Sequence, residues 1–132
     1  MDESKSEKDI KKQIFPKINE LIKITFNSVK EKINENNRSY CFELFGFDII
    51  MDSAYDMYIL EVNTNPGLEY SSPLIRTLVP RMIDDALRIT IDDLFETKSS
   101  CIDGNGNYIS PYPVDGYLDS EIMYDLVCDL NN

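Results

Sequence analysis

Residues 41–51 read Cys41-Phe42-Glu43-Leu44-Phe45-Gly46-Phe47-Asp48-Ile49-Ile50-Met51, and residues 57–62 read Met57-Tyr58-Ile59-Leu60-Glu61-Val62. Both runs are apolar at odd and even positions alike, the pattern of strands covered on both faces rather than open to water on one. Asp52 to Asp56 is polar turn material. The pair therefore predicts a β-hairpin with a loop of about four to six residues. Asn63-Thr64-Asn65-Pro66-Gly67 ends the second strand abruptly.

On either side of the hairpin the period changes. Ile14, Ile18, Leu21, Ile22, Thr25, Val29 and Ile33 recur at helical spacing, with Lys and Glu on the other face. Pro16 suits a first turn, so the well-formed helix is expected to start near it, after a frayed polar leader. Downstream, Ser72-Pro73 is a cap followed by a first-turn proline. Leu74, Leu78, Met82, Ile83, Ala86, Leu87, Thr90, Leu94 and Phe95 continue a helix over 73–96, which Pro80 is expected to kink or divide. Residues 97–118 hold three glycines and two prolines and read as loop; residues 119–130 read as a short terminal helix. The expected fold is α+β, a β-hairpin packed between long helices. Two apolar-faced strands alone are marginal, so the terminal segment or a second copy of the chain, a homo-oligomer, is expected to cover the open face.

Composition narrows the chemistry. The chain has 132 residues, no histidine, and formal net charge −11. The absence of His excludes His-dependent triads and imidazole zinc sites. Residues 1–40 carry nine Lys/Arg against seven Asp/Glu; residues 41–132 carry four against seventeen. A segment at −13 is not a nucleic-acid surface, since phosphate binding needs clustered cations. No stretch approaches the roughly 18 apolar residues of a membrane helix, and Met1–Lys12 lacks the apolar core of a secretory signal, so a cytoplasmic protein without membrane or nucleic-acid partners is expected. Cys41, Cys101 and Cys128 are widely spaced and expected to be reduced, Cys41 as a small buried hydrophobe. Asp103-Gly104-Asn105-Gly106-Asn107 mimics the start of a calcium loop, but Tyr108 stands where its glycine belongs and Val114 where its glutamate belongs, so a turn is expected.

The residues that stand out chemically are Asp48, Glu61 and Asn63. Two carboxylates fall in runs that should be apolar on both faces, and a buried carboxylate needs a cation, a hydrogen bond or a metal. Glu61 and Asn63, two apart on an extended strand, share a face. If the turn centres between Ala54 and Tyr55, Asp48 lies opposite Glu61, at the roughly 4.5–5.5 Å Cβ separation of cross-strand neighbours. Three hard oxygen donors then converge, a set suited to Mg²⁺ or Mn²⁺. The spacing is equally compatible with Asp48 and Glu61 paired to Lys or Arg and Asn63 capping a turn. Glu43 points the other way and is expected in a structural ion pair.

The compound pattern of Cys41-Phe42-Glu43-Leu44-Phe45-Gly46-Phe47-Asp48, Ile59-Leu60-Glu61-Val62-Asn63-Thr64-Asn65-Pro66 and Ser71-Ser72-Pro73-Leu74 resembles the C-terminal signature of the tubulin–tyrosine ligase family, within the wider ATP-grasp group. The resemblance implies three segments: a polar leader at 1–13, the C-terminal part of an ATP-grasp fold at 14–96, and a loop with a short terminal helix at 97–132. It implies an ATP-dependent ligase that joins Tyr, Glu or Gly to tubulin through an acyl phosphate, working in the cytoplasm at the cytoskeleton or cilium. It implies Asp48, Glu61 and Asn63 as the Mg²⁺ ligands beside ATP, none of them a general base. The family's other lobes, with the adenine pocket and acceptor groove, have no counterpart here, so the isolated chain is expected to be inactive. A non-catalytic acidic interaction module that keeps the fold is the alternative expectation.

Overall fold

The computed structural model describes residues 3–92, 94–95 and 101–129. It is a small α+β chain in the order α1 (Glu3–Ile33), β1 (Gly46–Met51), β2 (Met57–Asn63) and α2 (Pro73–Thr90). The chain divides into two compact units, Met1–Pro66 with Leu126–Asn132, and Gly67–Asp125.

The first unit is built on the hairpin. β1 and β2 pair antiparallel, and α1 packs against β2. Phe26 of α1 sits edge-on to Phe45 at 5.4 Å and tilted against Phe47 at 5.9 Å, so one sheet face is closed by aromatic contact. At the far end Lys17 Nζ donates to the Tyr55 carbonyl (2.6 Å) and to Asp56 Oδ1 (3.0 Å). The tip itself is an Asx-type turn: Asp52 Oδ1 accepts from the Ala54 and Asp56 amides, each at 2.9 Å. Those backbone hydrogen bonds, the one from Asp56 first, hold the Asp52 carboxyl below its ordinary value. Tyr55 takes a positive φ of 63°, which places its carbonyl where Lys17 meets it.

Three expectations for this unit change. The first helix does not begin near Pro16 but at Glu3, and runs through the proline. The Glu- and Lys-rich residues before it are good helix formers even without an apolar stripe, and the helix continues through Pro16 despite the missing donor and the crowding of its ring against the preceding turn. The hairpin is not covered on both faces: Ile50, Tyr58 and Leu60 are each more than half exposed on the face away from α1. Cys41, expected to be buried, is exposed, since the ladder begins only at Gly46.

In the second unit, Ser72 Oγ accepts from the Ile75 amide at 3.2 Å, with Pro73 in the first turn, as the cap signal predicts. Pro80 lies inside α2 without dividing it. The helix ends at Thr90, so Leu94 and Phe95 lie beyond it; the expected last position, 96, is outside the described residues. Residues 119–125, and residues 126–129 that belong to the first unit, form turns, bends and irregular chain, not the expected helix; position 130 is likewise outside the described residues. The unit's fully buried side chains are Arg81 and Asp85, so its centre is an ion pair beside Ala86 and Val114. Asp103 Oδ1 accepts from the Asn105 and Asn107 amides, closing the expected turn with the carboxylate turned on its own backbone. None of the three cysteines forms a disulfide.

Candidate functional site

The hairpin brings Asp48 directly opposite Glu61, and Gly46 opposite Asn63. It does so by an unexpected route. From the tip the register runs Met51 with Met57, Ile50 with Tyr58 and Ile49 with Ile59, which centres the turn on Ala54. Continued regularly, it would set Asp48 against Leu60 and turn Glu61 to the face of Phe47. Instead Leu60 is left out of the pairing as a β-bulge, and the register advances by one between Ile49 and Asp48. The inward residues Phe47, Ile49, Val62 and Ile59 stay on one face while Asp48, Glu61 and Asn63 gather on the other.

Asp48 and Glu61 are exposed, so neither is the buried carboxylate that the apolar runs suggested; the face they occupy has no covering layer among the described residues. Asn63, half-buried, donates from Nδ2 to Glu61 Oε1 at 3.2 Å. The Asp48 carboxyl is raised above its ordinary value, first by hydrogen bonding with Glu61, then by burial and the Glu61 charge. Among the described residues no Lys or Arg pairs with Asp48 or Glu61, nor with Glu43. The described residues therefore hold two like charges together with an amide drawn to them, and show no cation paired with either carboxylate. Such a donor set fits a hard divalent cation, which would relieve the repulsion the pair now carries. No group of three His, Cys, Asp or Glu gathers among the described residues; here the third donor is an amide.

Gly46 has a specific reason to be glycine. A Cβ there would stand 3.0 Å from Cβ of Pro66, so its absence lets the Asn63-Thr64-Asn65-Pro66 stretch close over the start of β1. The two halves of the motif are thus in contact through a missing side chain.

Sequence reading missed a second cluster, on α2. Arg81, Asp84, Asp85 and Arg88 lie at helical spacing on one side of the helix, and the R-x-x-D-D-x-x-R pattern, with its i,i+4 and i,i+3 opposite charges, was the available signal. Arg81 Nε meets Asp85 Oδ2 at 3.0 Å, and Arg88 Nη1 meets Asp85 Oδ1 at 2.9 Å.

The model of the tubulin-tyrosine ligase family matches residues 2–99. Tubulin glycylase 3F of Tetrahymena thermophila is 41% identical over 87 residues, 66% of this chain and 9% of that relative. Tubulin polyglutamylase ttll-5 of Caenorhabditis elegans is 40% identical over 74 residues, 54% of this chain and 10% of its own. Human tubulin monoglutamylase TTLL4 is 40% identical over 67 residues, 46% and 6% respectively. The chain thus spans a tenth or less of the length of these curated relatives. No solved structure matches it significantly.

Proposed function

Because the chain belongs to the tubulin-tyrosine ligase family, we propose that it is the C-terminal part of an ATP-dependent ligase of the ATP-grasp type that joins an amino acid to tubulin. The amino acid is Tyr, Glu or Gly, and a carboxylate is activated as an acyl phosphate before an amine attacks it. The observation that carries this is the placement of Asp48 directly across from Glu61 with Asn63 on the same outward face. These three residues would hold Mg²⁺ beside ATP. When bound, the ion neutralises charge on the transferring phosphoryl group.

The protein's own contribution is positional. The bulge at Leu60 aims both carboxylates outward, the Asn63 amide steadies Glu61, and α1 with Lys17 fixes the hairpin from behind and at its tip. The outward face, with Ile50, Tyr58 and Leu60 exposed beside the carboxylates, is where the nucleotide and the remainder of a longer enzyme would lie. That remainder would supply the adenine pocket, the phosphate-binding cations and the groove for the acidic tubulin tail, which this net-acidic chain does not offer. The site of action is the microtubule cytoskeleton, in cytoplasm or cilium. Among the described residues no helix is long and apolar enough to cross a membrane.

The test is Glu61→Gln in the full-length protein, which keeps shape and removes one negative ligand. Metal-assisted charge neutralisation is worth several kcal/mol, so ATP-dependent transfer to tubulin falls at least about 100-fold. Near-normal transfer removes Glu61 from the mechanism. A full-length protein that binds a partner yet transfers no amino acid with intact Asp48, Glu61 and Asn63 makes the chain a non-catalytic interaction module.

A further inference from the structure

The buried cluster on α2 binds main chain. Arg81, with none of its side chain exposed, spends its guanidinium on the carbonyls of Tyr112 (3.3 Å), Leu118 (3.0 Å) and Glu121 as well as on Asp85. Asp85 accepts the Met123 amide at 2.9 Å. Arg88 donates to the carbonyls of Glu121 (3.1 Å) and Ser120 (3.4 Å) and stacks 4.3 Å over the Tyr108 ring. Side chains are engaged at fewer points: Asp84 accepts from the hydroxyls of Tyr108 and Ser110, and Arg81 Nη1 lies 3.8 Å from Asp119 Oδ1. One helix face thus holds residues 108–123 chiefly through carbonyls and an amide, with two hydroxyls and the Tyr108 ring at the leading end and the Asp119 carboxylate further along.

From this we infer that residues 108–124 are a strap, clamped by Arg81, Asp84, Asp85 and Arg88 through its backbone, and that the structural unit headed by α2 continues past residue 99, where the family match stops, to about residue 125. A clamp that takes carbonyls leaves most strap side chains without a fixed identity. A segment held in this way carries little sequence signature, which accounts for a fold that outruns the resemblance. A guanidinium suits the task because its donors fan out in a fixed fork, whereas an ammonium is a single point.

The experiment is amide hydrogen exchange on the intact 132-residue chain. Arg81→Lys keeps the charge beside Asp85 but cannot reach three carbonyls, so protection of the Met123 and Ser110 amides falls at least ten-fold while β1 and β2 are unchanged. Leu118→Ala and Ser120→Ala, which alter strap side chains and leave the carbonyls, change protection less than two-fold. The opposite pattern, with Arg81→Lys silent and Val114→Ala, at the strap's buried apolar side chain, exposing the strap, overturns the inference in favour of docking by apolar burial. Should Arg81→Lys unfold α2 outright, Tyr108→Phe removes one of the hydroxyls held by Asp84 and leaves the Ser110 hydroxyl, which also accepts the Tyr112 amide, in place. Faster exchange at Ser110 then supports the clamp, and unchanged exchange there refutes it.

Discussion

Asp48 faces Glu61 because Leu60, one residue before the glutamate, stands outside the ladder. The bulge reconciles two registers: the tip fixes one, and the outward aim of both carboxylates requires the other. Deleting Leu60 joins Ile59 directly to Glu61 and restores a regular hairpin with the same partners on both sides. The variant is expected to keep the cross-strand Asp48–Glu61 contact and the Ile49–Ile59 contact in nuclear Overhauser spectra. Finding Glu61 opposite Phe47 instead would show that the bulge does not set the pairing.

The same pair carries an electrostatic cost, since each carboxylate lies within reach of the other and among the described residues neither has a cation. Glu61→Gln in the isolated chain, without metal, is expected to leave the melting temperature unchanged or slightly raised at pH 7. A clear drop would mean that Glu61 holds the fold through an ion pair. The isolated chain is also expected to bind Mg²⁺ weakly or not at all.

Gly46→Ala places a methyl group 3.0 Å from Cβ of Pro66, closer than ordinary van der Waals contact. Overpacking of this kind costs about 1–3 kcal/mol. Pro66→Ala does not recover the whole cost, because alanine retains the contacting Cβ; Pro66→Gly removes it. A thermal-denaturation double-mutant cycle is expected to give Gly46→Ala a smaller penalty in the Pro66→Gly background. Strict additivity would show that the contact is not what demands glycine.

Tyr108 titrates well above the ordinary tyrosine value, mainly through burial, with the Asp84 hydrogen bond and charge adding to it and Cys101 contributing in the same direction. Its folded pKa is raised, so its contribution is complete below the unfolded value of about 10 and is lost as pH rises beyond it. Exchange protection of the strap is expected to fall above pH 10 in the wild type, and to fall less steeply in Tyr108→Phe. Identical alkaline profiles would assign the loss to another group.

The hairpin, the meeting of Asp48, Glu61 and Asn63 on one face and the Ser72 cap were legible because each rests on a local pattern: two apolar runs, an E-x-N spacing, a Ser-Pro pair; the exposure of the two carboxylates was not. What was not legible depends on groups meeting at long range. The terminal helix expected at 119–130 does not form among its described residues because Arg81 and Arg88 take the carbonyls of Leu118, Ser120 and Glu121, which helical turns would need. Arg81 itself looks like a surface charge in sequence; only the irregular chain folded over it makes it the centre of a unit. The route to the Asp48–Glu61 pairing was also hidden, since period-2 alternation says nothing about where a strand drops a residue. No described segment of this chain covers the hairpin's second face, and the sequence could not have said so: an apolar run declares that a face wants a layer, not which segment or which copy of the chain provides it.

A sheet of two strands has two unsatisfied margins. The outer backbone rows of Gly46–Met51 and Met57–Asn63 have no further ladder beside them among the described residues, and the run Ile49-Ile50-Met51 lies along one of them. Open, apolar margins recruit strands from other molecules. Kept by itself at high concentration, this chain should therefore stack edge to edge, so that its solubility, more than its melting point, becomes the practical measure of how much neighbouring structure the hairpin needs.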